Sequence, residues 1–484
     1  MRKIVLLSLL TCISSLVFGQ TMQETFDSFR KGMLSDYHGF RKSVLDDYAK
    51  YLDGVWERHE AFRGTVRDKK PKPTYRPKAD GSPTAPVDVP TPDKPKAPIV
   101  PTKPQQVPAP SPTPTPVPTV PVMAKQSVNF YGMPMLLPKV NVVSVRGVEG
   151  RGIADAWREY EHDNAKDVIP TLKNIISTKG LNDWFAFQLV RKYADAVAKD
   201  GSNADRVVLQ HFLLANMGYD VRLGRTENQM LLLVPFKQQV YARSFMRLKD
   251  DQKYYIFYDE YDGEKPSEYL YTCDLPADAD CGKVLNLAYD RQCTIGYGKT
   301  ITRELTDDKL TVRGTVNQTM MEMLRHYPQM DIPVYAQSTV DETLHKEILK
   351  QLRPQIEGLS KRDAANRLLQ FVQFAFTYAT DGDQHGYEKA YFLEENFYYT
   401  KNDCEDRSIF YAFLVRNLLG LDVHLIHYPG HECTAVSFPG KNPQGHGYMY
   451  EGKRFVICDP TYIGASIGQC MPDYRTTKPE IELW

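Results

Sequence analysis

The chain has 484 residues, enough for two or three domains, each with its own core. Lys+Arg and Asp+Glu both total 60, and no basic run stands out, which argues against nucleic acid or acidic lipid as a partner held by charge. Beyond the N-terminus no apolar run approaches the roughly 18 residues of a transmembrane segment.

"MRKIVLLSLLTCISSLVFGQ" starts basic, turns apolar and ends in small residues near Gly19. This is the pattern of a secretory signal peptide, residues 1-19, cut before Gln20, and it predicts a secreted or periplasmic protein. Lipidation at Cys12 is the alternative, though Thr11 and the apolar run past Cys12 fit it poorly. Seven cysteines remain after cleavage: Cys273, Cys281, Cys293, Cys404, Cys433, Cys458 and Cys470. Export permits disulfides, and an odd count leaves at least one thiol unpaired within the chain.

Residues 20-68 read as an amphipathic helix. "FRKGMLSDY" from Phe29 returns as "FRKSVLDDY" from Phe40, an eleven-residue offset that spans three helical turns. It gathers Phe29, Met33, Tyr37, Phe40, Val44, Tyr48, Tyr51 and Val55 on one face, suited to coiled-coil self-association through residues 21-62. Residues 69-125 read as a Pro-rich linker: Pro71 to Pro121 holds 18 of the 33 prolines, too many for a packed core. An extended spacer is expected, separating the helix from everything that follows.

Past the linker lies an internal duplication. "NADRVVLQHFLLANMGYDVRL" from Asn203 matches "CEDRSIFYAFLVRNLLGLDVHL" from Cys404, and the segments on either side also correspond. Each copy reads as helix, loop, apolar helix and then β-strands. The expected fold is α+β with two tandem units, residues 126-325 and 326-484. "KTITRELTDDKLTVRGTV" between them reads as further β-structure.

In the second copy Cys404 starts an apolar helix. His431 follows 27 residues later at the head of a strand, and Asp459 another 28 on, at a strand end. A helix N-terminus favours thiolate, an imidazole can take the thiol proton, and a carboxylate can orient that imidazole. Cys404, His431 and Asp459 are therefore the expected catalytic residues. In the first copy the aligned positions are Asn203, Gln229 and Asp259, which supply neither thiol nor general base. That unit reads as degenerate.

The order Cys, His, Asp and the run "DCED" resemble the transglutaminase-like superfamily, a compact relative of the papain fold, and in particular its bacterial periplasmic cysteine proteinases. The resemblance covers about 100 residues, from near Ala364 to Ala465. Glu432-Cys433 stand where many members have Ala-Trp, and "PGKNPQGHG" lengthens the interval between His431 and Asp459. The resemblance implies an exported thiol amidohydrolase or cysteine peptidase acting on a protein or peptide amide. It also implies calcium held by the acids flanking the cysteine, at the positions of Asp403 and Glu405, with no other cofactor required.

The copies sort these acids. Asp406-Arg407 recurs as Asp205-Arg206, which marks that pair as structural. Asp403 faces Ser202, and both are good N-caps. Glu405 becomes Ala204, lost together with the triad, so it has the better claim to function. A carboxylate ~4 Å from a thiolate opposes it by roughly 4 kcal/mol at an effective dielectric near 20, against about 0.3–2 kcal/mol from the helix terminus. Glu405 is therefore expected to point away from the sulfur, with Asp403, towards a cation.

Rival readings are His427 as the base, zinc on His424, His427, His431 and His446, and a buried inert or disulfide-bonded Cys404. The backbone N–H of Cys404 is one expected oxyanion donor, and the neighbourhood of Tyr398 and Tyr399 is a candidate for the second. Two alternatives to hydrolysis stay open: cross-linking by a lysine amine, and a non-catalytic envelope adaptor on a proline-rich stalk.

Overall fold

The computed structural model describes most of residues 124–482, with short gaps, together with 28–33, 56–65, 79, 86–92 and a few single positions between 35 and 50. The signal segment and Cys12 lie outside the described residues, as does Cys273. Helices and sheets are both extensive, and the class is α+β.

Two six-stranded sheets organise the molecule. The first runs Glu57–Glu60, Tyr269–Thr272, Arg222–Arg225, Met230–Pro235, Lys253–Phe257, Phe245–Arg247, antiparallel throughout. The second runs Glu480–Glu482, Val423–Tyr428, His431–Ser437, Lys453–Cys458, Gly445–Tyr450, Pro86–Asp88, antiparallel except for the last pair. Without their N-terminal strands, the two sheets share one order of connection. A helix precedes each: Asn203–Asn216 and Cys404–Leu414.

Strand alternation distributes the cores. Leu231 and Leu233 pack inside the first sheet with Met246, Tyr254 and Ile256, while Leu232 and Val234 face the helices. The second sheet encloses Ile426, Cys433, Ala435, Tyr448 and Ile457. The helix-facing core is continuous through both halves, where Phe392 meets Tyr289 and Tyr327 at ring separations of 5.9 and 4.9 Å. The "KTITRELTDDKLTVRGTV" stretch is a hairpin of Thr300–Thr306 and Thr311–Asn317.

The N-terminal expectations need correction. Residues 28–33 are helical, with Phe29 and Met33 exposed, but the remaining residues of the predicted face lie outside the described residues. The helix does not continue to residue 68. Glu57–Glu60 is a strand on Tyr269–Thr272, with the Arg58 guanidinium over the Tyr269 ring at 3.9 Å. Phe62 then pairs with Phe245 at the opposite edge, so one segment joins both edges of the first sheet. The predicted linker is not wholly a spacer either. Pro86–Asp88 adds to the second sheet in parallel, Val89 is buried beneath it, and Lys125 already begins a strand. Proline is compatible here because an edge strand leaves N–H groups unused.

Candidate active site

The chain enters the site through Lys401–Asn402, a short strand parallel to Thr377–Tyr378, and turns at Asp403 into the helix Cys404–Leu414. Asp406 fastens this turn, its carboxylate accepting from the backbone N–H groups of Tyr391 (2.8 Å) and Asp403 (3.4 Å). Asp205 does the same work at the other helix, accepting from Val145 (2.6 Å) and Ser202 (2.7 Å). Ser202 caps its helix through its side chain. Asp403 does not: it is fully buried and both its carboxylate oxygens lack a hydrogen-bond partner.

His431 heads its strand opposite Tyr428, and its Nε2–H donates to Asp459 Oδ2 at 2.9 Å. The other Asp459 oxygen accepts from the N–H groups of Thr461 (2.9 Å) and Tyr462 (3.1 Å). Buried Gln373 donates to the Asp459 and Ala465 carbonyls and accepts from Gly464, so helix Lys361–Ala375 holds the loop that aims the carboxylate. Gly445 and Gly468, both at positive φ, let that loop fold against the sheet; a Cβ on Gly445 would lie 2.2 Å from the Gly468 Cα. The Tyr474 ring stacks on the imidazole, with centroids 5.1 Å apart and planes 11° from parallel. His431 Nδ1 has no hydrogen-bond partner.

The Cys404 thiol donates to Glu405 Oε2 at 3.1 Å and is not hydrogen-bonded to His431. Glu405 thus does not point away from the sulfur, contrary to expectation. The expectation assumed a thiolate, whereas a protonated thiol is a donor that a neighbouring carboxylate attracts. Burial, then Glu405 and Asp403, push the Cys404 thiol well above its ordinary range, while the Glu432 backbone N–H works in the opposite direction. Cys404, His431 and Asp459 are all at most 3% exposed.

The acids form a buried group. Ligating oxygens of Asp381, Asp403 and Asp406 lie within 4.8 Å of one another, as do those of Asp381, Glu388 and Glu405. Burial first, then mutual repulsion, drives Asp381, Asp403 and Asp406 well above the usual carboxylate range. Hard oxygen donors with an unsatisfied carboxylate among them fit a calcium ion.

The other candidates fall elsewhere. His427 Nδ1 bonds Glu432, not Asp459. His424 stacks on Phe455 at 3.8 Å, and His446 bonds the Gly468 carbonyl, so the four histidines do not converge. Tyr399 packs with His385 and Tyr391 at 4.9 and 5.0 Å, within an aromatic cluster of its own. Cys404 and the five other described cysteines are free thiols. Cys433 lies beside His431 and Asp459, whereas Cys458 belongs to the core on the other face of the sheet.

At the first helix, Asn203 is tied to the Met230 backbone through its N–H (2.7 Å) and carbonyl (3.2 Å), and Arg206 Nε holds Asp259 at 2.7 Å. Gln229, the position aligned with His431, is buried just ahead of the strand Met230–Pro235.

Sequence reasoning missed Gln373, Asp381 and Tyr474. None belongs to a spaced motif with Cys404, and "MPDY" carries no periodic signal that points to the imidazole. No family model, curated protein or solved structure matches this chain.

Proposed function

We propose that the chain is an exported thiol amidohydrolase or cysteine peptidase of transglutaminase-like type, built from tandem units of which the first is degenerate. The observation that carries this reading is the buried His431–Asp459 hydrogen bond, with Nδ1 left free and the Cys404 thiol against the backbone of Glu432, the next residue along the strand. In the mechanism, Cys404 turns from Glu405 towards His431 and its proton passes to Nδ1. The sulfur adds to the amide carbonyl carbon, and the Cys404 backbone N–H stabilises the oxyanion. His431 then protonates the departing amine, leaving a thioester. A water molecule, deprotonated by His431, attacks the thioester and releases a carboxylic acid and the thiol. Asp459 keeps the imidazole oriented throughout. A lysine amine in place of water would give a cross-link.

Asp403, Glu405 and Asp381 are the residues that would hold calcium. Bound there, the ion supplies positive charge that offsets the carboxylates opposing a thiolate.

The test is the rate of Cys404 alkylation by iodoacetamide against pH, in wild type and His431→Ala, with calcium and with chelator. Rapid labelling below pH 7 that vanishes in the variant is expected. A rate rising only near about 8.5, the free-thiol value, and indifferent to His431 sinks the enzyme reading. One observation favours the envelope adaptor instead: the thiol is sealed and held protonated by Glu405. A pull-down partner lost on deleting residues 21–50, which leaves the strand Glu57–Glu60 in place, without hydrolysis, would decide for it.

A further inference from the structure

We propose that Tyr474 is a positioning residue for the His431 imidazole, which makes the C-terminal segment part of the reactive centre; this rests on the amide-cleaving reading above. Three rings form a stack. Tyr474 covers His431, and Tyr428 backs Tyr474 at 4.7 Å with planes 18° apart. Tyr474 sits in a short 3-10 turn, Pro472–Tyr474, where its N–H donates to the Met471 carbonyl at 3.0 Å. Arg475 Nε reaches back to the Cys470 carbonyl at 3.2 Å. Downstream, Glu480–Glu482 pairs with Leu425, Ile426 and His427 on the strand next to His431. The turn is therefore pinned on both sides, and Tyr474 is 9% exposed.

The physical role follows from what Asp459 alone does not fix. One hydrogen bond at Nε2 sets the direction of the imidazole edge but leaves rotation of the ring plane about that bond. A parallel aromatic face removes this freedom and holds the ring in one plane. The electron-rich face also favours the imidazolium that forms together with the thiolate. Among the described residues, Asp459, beyond the neighbouring strand, and Cys433, on the same strand, are titratable groups against the ring, and Cys404, Asp459, Asp473 and Cys433 act on the Tyr474 that covers it. Tyr474 itself transfers no proton.

The experiment uses the full chain in calcium-containing buffer, with Tyr474→Phe, Tyr474→Met and Tyr428→Leu. The readouts are the His431 titration midpoint by imidazole nitrogen NMR and the iodoacetamide rate at Cys404 at pH 6. Tyr474→Phe keeps the ring and should stay within about twofold of wild type in rate. Tyr474→Met should lower the midpoint by about half to one pH unit and slow labelling about three- to tenfold. Tyr428→Leu should move both in the same direction by less, and it decides the matter if Tyr474→Met does not fold. A wild-type midpoint and rate in Tyr474→Met, or equal damage in Tyr474→Phe, overturns the proposal. If wild-type labelling ignores His431→Ala, the amide-cleaving reading fails, whereas the midpoints still judge the stacking.

Discussion

The helices at Asn203 and Cys404 begin alike, with an aspartate three residues beyond the cap and an arginine just after it, but the two arginines choose different partners. Arg206 reaches Asp259 and ties it down at 2.7 Å. Arg407 turns instead to Asn402 (2.9 Å) and to the carbonyls of Gln373 (3.4 Å) and Phe376 (3.1 Å). Asp459 is thereby left for His431. The difference teaches that one scaffold can commit the same buried carboxylate either to an arginine or to an imidazole.

The largest effect should come from the second helix alone. On a fluorogenic peptide-amide library, Cys404→Ala should lower turnover by about 10⁴-fold or more, while Asn203→Ala stays within about threefold. Comparable losses would break the asymmetry. In a Cys404→Ala background, Asn203→Cys with Gln229→His should yield a thiol labelled only near about pH 8.5, because Arg206 still holds Asp259. Labelling at pH 6 would show that the arginine is not what silences the first half.

Removing that arginine should be felt as stability. Arg206→Met takes the guanidinium from buried Asp259 and leaves it the longer Asn203 contact of 3.3 Å, at a cost of about 3–5 kcal/mol by chemical denaturation. A loss under ~1 kcal/mol would mean that the ion pair is incidental.

Each half also carries a buried acid that works against it as pH rises. Burial is the leading cause of Asp195 being raised from 3.8 to about 6 in the first half, and of Glu394 being raised from 4.5 to about 7 in the second. A raised folded-state pKa contributes stability below the unfolded value and loses it as pH climbs through the folded one. Asp195→Asn should therefore remove a decline between pH 3.8 and about 6, and Glu394→Gln one between pH 4.5 and about 7. Each amounts to roughly 3 kcal/mol in melting curves taken across pH. Unchanged slopes would refute both assignments.

The smallest expected change is at Asp403. Asp403→Asn should stabilise the chelated protein at pH 7 by about 1 kcal/mol, since the raised carboxyl is a liability there, and should abolish any calcium-induced rise in melting temperature. A variant that keeps the calcium response would move the ion elsewhere.

What the sequence made legible follows from chemistry with a short range. Cys404 at a helix start, His431 at a strand head and Asp459 at a strand end are visible because residue type, spacing and local periodicity all bear on the same positions. Comparing the copies also separated Asp406, which fastens a turn as Asp205 does in the first half, from Glu405. The rotamer of Glu405 was not legible, because it depends on whether the sulfur is charged. Tyr474 was not either, since its contact with His431 is made by a turn whose own sequence says nothing of a distant ring. The strand Glu57–Glu60 was hidden by the eleven-residue repeat that fades just before it, and its partner lies more than two hundred positions downstream.

That last feature has a kinetic meaning. Glu57 must wait for Thr272, and Val87 for His446, before either strand has a neighbour. During synthesis the N-terminal segment emerges first and docks last, so the closing step of folding carries a large loop-closure entropy and should be slow. Until it docks, each sheet presents an unpaired edge that invites association between chains. A chain begun at residue 126 would keep both edges bare permanently, and aggregation on refolding would be its signature.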